Sequence, residues 1–108
     1  MTAVLIAGPE RGLGAAFEAR GVAVERLAGV VTRDRLLEAG VEDVDVYVLT
    51  DVSEATSIPI ALEANPDATV VVYSPDTMPE FVRAQVDLAI DPAVLDAADV
   101  AEALLDRE

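Results

Sequence analysis

Short apolar runs alternate with segments of helical character along the whole chain. The apolar runs cover residues 3–7, 22–27, 44–50, 68–74 and 87–90. Runs one, three and four are nearly continuous stretches of aliphatic and β-branched residues. Such strands belong in the middle of a parallel sheet, buried on both faces. Runs two and five are shorter or more polar and suit the edges. A strand–helix alternation predicts helices on both faces of one parallel sheet. The expected fold is therefore a three-layer α/β/α sandwich with a five-stranded parallel sheet of order 2-1-3-4-5, Rossmann-like or flavodoxin-like. The order 3-2-1-4-5 ranks lower, because it buries the polar second run.

Local signals place the helices. Thr32 is the expected cap of a helix that carries Leu36 and Leu37 and stops at Gly40. Pro59 favours a helix start at Ser57. Thr77 to Glu80 has the pattern of a capping box, with Pro79 in the first turn. Asp91-Pro92 reads as an N-cap followed by proline at the first helical position. In the last helix Val94, Ala98, Ala101 and Leu105 fall at helical spacing. No repeat, low-complexity stretch or linker interrupts the pattern, so residues 1–108 are expected to form one domain.

Composition narrows the chemistry. More than half of the 108 residues are hydrophobic (53%), yet only 4% are aromatic, so the core is expected to be built from Val, Leu, Ile and Ala. Cysteine and histidine are absent, which excludes disulfides, Cys–His zinc sites, cysteine nucleophiles and histidine triads. No apolar run reaches the length of a membrane span, and the first residues lack the pattern of a signal peptide. A cytoplasmic location follows as an expectation. The net charge is −14, there is no lysine, and every basic residue is an arginine. Such a surface repels nucleic acid and anionic membranes. The composition resembles that of proteins from a salt-saturated cytoplasm, in which molar salt screens self-repulsion.

Three features carry candidate chemistry. The first is Gly8-Pro-Glu-Arg-Gly-Leu-Gly14, placed directly after the first strand and opening a helix. Its glycines permit a sharp turn and close approach to a ligand, and Arg11 adds a charge for a phosphate. The spacing resembles the nucleotide loop of short-chain dehydrogenases. However, the second strand ends in Leu27-Ala-Gly29, without the acid that holds a ribose in dinucleotide sites. A tight structural turn is the competing reading. The second feature is Asp51, at the tip of the third strand, with Thr50 beside it. This is where a response-regulator receiver carries its phosphorylated aspartate, and Ser74 ends the fourth strand where receivers place a switch hydroxyl. Only Glu10 stands where receivers have an acidic pair for Mg²⁺, and Asp91 stands where they have a lysine.

The third feature is a succession of segments: Leu37 to Asp45, Val48 to Asp51, Ile60 to Thr69 and Asp87 to Pro92. In order, these resemble the second half of the TrkA N-terminal domain, also called the RCK domain. Domains of that family regulate potassium channels and transporters by binding NAD(H), ATP, ADP or other ligands, and they commonly dimerise. The resemblance implies a Rossmann-like fold, a small nucleotide ligand, and a homodimer or another protein partner. The chain departs from the family by lacking one strand–helix unit before the part matching Gly29 to Leu37. A further departure is Thr56, which stands where the family has asparagine.

The expected function is therefore non-catalytic: small-ligand sensing or regulation, with ligand identity open. The alternative is a degenerate receiver-like module that binds proteins and has no ligand site. A ligand site, if the chain has one, is expected at the ends of strands one and three, lined by Gly8, Arg11, Gly12, Gly14, Thr50 and Asp51. No catalytic residue and no metal site is expected.

Overall fold

The computed structural model describes residues 2–106. Five strands, β1 (Ala3–Ala7), β2 (Ala23–Leu27), β3 (Val46–Leu49), β4 (Thr69–Tyr73) and β5 (Leu88–Ile90), form one parallel sheet of order β2-β1-β3-β4-β5. Five helices connect and follow them: α1 (Leu13–Glu18), α2 (Arg33–Glu38), α3 (Ser57–Ala64), α4 (Glu80–Arg83) and α5 (Ala97–Asp106). This is the Rossmann-like, flavodoxin-like α/β/α sandwich expected from the pattern. The order follows from polarity, since exposed Glu25 and Arg26 of β2 would be stranded at any central position.

Alternate residues of the central strands feed two cores. Leu5, Ala7, Tyr47, Leu49, Val70 and Val72 pack with Leu36 of α2, Ile58 and Ala61 of α3, and Val82 of α4. Val4, Ile6, Val46, Val48, Val71 and Tyr73 pack with Leu13 and Phe17 of α1 and with Val100, Ala101 and Leu104 of α5. The period of two along a strand is what divides them between the faces. Buried polar groups are paired. The Tyr47 hydroxyl lies 2.8 Å from Ser57 Oγ in the interior, and burial pushes the Tyr47 phenol up to about 12.

Two aspartates tie the strand starts together by the same device. Ala3 N donates to Asp45 Oδ2 and Val70 N donates to Asp87 Oδ2, each at 2.8 Å. Each aspartate stands just before its own strand and satisfies an amide of the neighbouring strand or of its start, which backbone pairing leaves over.

Thr32 caps α2 as expected, accepting from Arg35 N at 3.2 Å, and α3 begins at Ser57. Two helix starts differ from expectation. α4 is a single turn whose cap position is Pro79, with no side-chain cap bond. Residues 92–94 form a turn and Leu95 a bend, and α5 begins only at Ala97, where Asp96 Oδ1 accepts from Asp99 N at 2.9 Å. Asp91 instead accepts from Ala93 N at 2.9 Å. The detour brings the Leu95 carbonyl to the hydroxyl of Tyr73, 2.8 Å away, and leaves Val94 77% exposed.

Candidate functional site

The C-terminal end of the sheet between β1 and β3 is the switch point, where open α/β sheets bind ligands. Here the chain fills much of that crevice with its own groups. Gly8 continues β1 with φ +108°, and its N–H donates to the Leu27 carbonyl at 2.9 Å. A Cβ at Gly8 would come within 2.5 Å of Thr50 Oγ1 and 3.0 Å of Asp51 N. The two loops therefore touch backbone to side chain.

Thr50 is fully buried. Its N–H donates to the Ala7 carbonyl at 2.9 Å. Its hydroxyl faces two carbonyls, those of Pro9 and Ala7, and Pro9 is the nearer. A hydroxyl has one proton to give, so Pro9 receives it. Arg11, with φ 53°, directs both Nε and Nη2 at the Thr50 carbonyl, 3.4 Å from each. The guanidinium that would meet a phosphate thus leans on the tip of β3.

The start of α1 is guarded by a carboxylate. Glu10 Oε1 lies 3.4 Å from Ala15 N, and Glu10 Oε2 forms a 3.1 Å ion pair with Arg26. A Cβ at Gly14 would sit 3.0 Å from Glu10 Oε1, so Gly14 makes room for that carboxylate. An anion arriving at these amides would meet a resident negative charge. Gly12 faces away, toward Ala97 at the start of α5. Of the six residues singled out from sequence, Gly8, Arg11, Thr50 and Asp51 meet at the switch point, while Gly12 and Gly14 serve the entry to α1.

Asp51 is half-buried and turns onto its own loop. Its Oδ1 accepts from Ser53 N at 3.0 Å and from Ser53 Oγ at 2.6 Å, capping the one-turn 3-10 helix Val52–Glu54. Glu54 Oε1 accepts from Val31 N at 2.8 Å and so holds the loop after β2 against the loop after β3. At the end of β4, Ser74 Oγ accepts from Asp76 N at 3.1 Å. Burial raises the Tyr73 phenol above its usual value, helped by Asp96, Asp91 and Asp99 and opposed by Arg11. Among the described residues no three carboxylates converge to hold a metal ion.

The roles of Glu10 and Glu54 escaped the sequence pattern, because in a chain this acidic one carboxylate looks like another. Two cavities lie at the β4–β5 side of the sheet. A cavity of about 200 Å³ is lined by residues that include Ser74, Asp76, Met78, Ala89 and Asp91. A second, of about 330 Å³, is lined by Met78, Arg83, Val86 and Ala89. Both open at β4–β5, beside α4.

Comparison with known proteins supplies a family and a set of structural neighbours. Residues 4–104 match DUF7126, a family of unknown function. No curated protein matches the chain. A pilus assembly protein (cpaE) from Burkholderia thailandensis superposes with a TM-score of 0.66 at 19% identity, covering 98% of this chain and 97% of that one. A pilus assembly-related protein from Burkholderia pseudomallei gives 0.67 at 18% identity, covering 98% and 88%. A response regulator from Burkholderia pseudomallei, holding a phosphorylated aspartic acid, a calcium ion and citrate, gives 0.64 at 16% identity, covering 99% and 72%. At these identities the likeness is one of fold.

Proposed function

We propose that this chain, which belongs to the DUF7126 family of unknown function, is a non-catalytic, receiver-like module that works by binding another protein. The observation that carries the reading is the closed switch point. Thr50 and Arg11 join the loops after β1 and β3, and Glu10 occupies the approach to α1. Phosphoryl transfer to Asp51 lacks its partners. A developing phosphoryl charge needs cations around it. Here the position after β5 is Asp91, and Asp51 is engaged with Ser53. Two of the structural neighbours are described as pilus assembly or assembly-related proteins and the third as a response regulator. All three descriptions fit a regulatory or interaction role on this fold. Among the described residues no helix is long and apolar enough to cross a membrane.

Nucleotide sensing of the TrkA-N/RCK kind is the second reading. It is favoured by the glycine loop between β1 and α1 and by the charge of Arg11 beside it. One titration separates the two. The ¹⁵N-labelled protein in molar KCl is mixed with NAD⁺, NADH, ATP, ADP, cyclic dinucleotides and, with Mg²⁺, acetyl phosphate. The interaction-module reading expects no shifts at residues 8–15 and 50–53 at millimolar ligand and no gain of a phosphoryl group by mass. Saturable shifts at those amides, or a phosphorylated Asp51, would replace it with a sensor or a receiver.

A further inference from the structure

The placement of the arginines sets one guanidinium apart. Among the described residues Arg20, Arg26 and Arg33 pair with Glu102, Glu10 and Glu63. Arg11 and Arg35 donate to the carbonyls of Thr50 and Val30. Arg83 makes a single bond, from Nε to the Met78 carbonyl at 3.4 Å, and no carboxylate among the described residues lies within ion-pair distance of it. Its two terminal nitrogens therefore remain open to an incoming acceptor. This is so in a chain with 21 acidic and 7 basic residues.

What Arg83 borders is a hollow. α4 is a single turn, so it covers the sheet face beside β5 thinly. The cavity of about 330 Å³ left there is lined by Met78, Arg83, Val86 and Ala89. Met78 and Val86 are half-buried and pack against the core. The neighbouring cavity of about 200 Å³ shares Met78 and Ala89 but takes in Asp76 and Asp91. Asp87 lines neither cavity, and its carboxylate is turned back to Val70 N. Acids line the first cavity, while a cation above an apolar floor lines the second.

These features select an occupant. Ligand sites are mostly apolar hollows of about 300–1,000 Å³ with a few polar groups that fix orientation. The second cavity stands at the small end of that range, and its one polar side chain is a cation. One guanidinium balances one negative charge, and a net charge of −14 opposes any further one, which favours a monoanion over a phosphate ester. A planar carboxylate matches the guanidinium fork. The remaining lining is hydrocarbon and thioether, so the rest of the ligand is apolar. We propose that this cavity binds a small apolar monocarboxylate, its carboxylate on Arg83 and its hydrocarbon body against Met78, Val86 and Ala89. The site lies outside the switch point and does not depend on the interaction-module reading.

The test is an NMR titration of the labelled chain with 4-methylpentanoate at about 0.1 M KCl, where the Debye length is about 10 Å and the acidic surface still repels anions. General electrostatics therefore cannot imitate the binding. The control is 4-methylpentanamide, which keeps the apolar body and removes the charge. Saturable shifts at residues 78–89 are expected at millimolar acid. The amide should bind at least about tenfold more weakly, the worth of one hydrogen bond to a charged group. Arg83→Gln, at an exposed position, should bring the acid down to the level of the amide, and Arg83→Lys should restore part of the preference. Ala89→Phe, also at an exposed position, should fill the hollow and weaken both ligands. Far-ultraviolet dichroism of each variant checks that the fold is kept. Absence of saturable shifts, equal binding of acid and amide, or a preference for the acid that survives Arg83→Gln would overturn the proposal. The last arm is the peptide acetyl-Gly-Gly-Leu with a free C-terminus. Binding of that peptide tenfold tighter than the free acid would give the cavity to the C-terminus of a partner protein and overturn the assignment to a small ligand. Residues 8–15 and 50–53 report on the switch point separately, so failure here leaves the interaction-module reading to its own titration.

Discussion

Replacing Gly8 by alanine tests whether the first glycine loop serves packing. Gly8 has φ +108°, a backbone region that costs a residue with a Cβ about 1–3 kcal/mol. The added Cβ also meets Thr50 Oγ1 at 2.5 Å and Asp51 N at 3.0 Å. Relieving such contacts by moving β1 or β3 is overpacking of a filled site, typically about 1–3 kcal/mol. The expected loss is about 2–6 kcal/mol, a large share of the roughly 5–15 kcal/mol that stabilises a domain of this size. At about 4–8 °C per kcal/mol, the melting temperature should fall by at least about 8 °C. Thr50→Ala serves as the second arm of a cycle. Alone it costs about 1–2 kcal/mol, because the Pro9 carbonyl loses its donor. In the double variant the closest clashing atom is gone, so the combined loss should fall short of the sum by about 1 kcal/mol. Urea unfolding monitored by far-ultraviolet dichroism reads all four proteins. A Gly8→Ala loss below about 0.5 kcal/mol, or strict additivity with Thr50→Ala, would refute the claim that Thr50 is what the glycine accommodates.

Tyr47→Phe should cost about 1–2 kcal/mol, since the buried Ser57 hydroxyl loses its partner, and denaturant unfolding would show it. Because the Tyr47 phenol is raised to about 12 from an ordinary 10.0, the folded protein holds that proton longer than the unfolded chain. The stability associated with it is therefore intact below pH 10 and lost between about pH 10 and 12, a slope that Tyr47→Phe should remove from unfolding curves. Asp87→Ala should cost about 1 kcal/mol and speed hydrogen exchange at Val70, whereas Asp87→Asn keeps an acceptor and should lose less. With a net charge of −14, the melting temperature should climb as KCl rises from 0.05 to 2 M, while the Debye length falls from about 10 Å at 0.1 M to about 3 Å at 1 M. A flat melting temperature across that series would remove self-repulsion as a significant term.

The sequence alone determined the layered fold and its strand order. β1, β3 and β4 are apolar at successive positions, which only a strand covered on both faces tolerates, and the polar residues of β2 send it to an edge. Helix starts governed by one local bond were equally legible, as at Thr32. Starts that depend on the path of the chain were not. Asp91-Pro92 has every local mark of a helix start, yet the chain must first cross from β5 to the α1 side and seat Leu95 against Tyr73, and the helix waits until Ala97. The candidate site divides in the same way. The glycine loop and the tip of β3 were visible because topology brings the ends of adjacent strands together. That Glu10 guards α1, that Thr50 and Arg11 seal the crevice, and that open space lies along β5 were decided only in three dimensions. Those facts depend on which amide, hydroxyl and guanidinium donors reach which carboxylates and carbonyls, and a contact such as Arg11–Thr50 or Thr50–Pro9, about 40 positions apart, leaves no period or spacing along the chain.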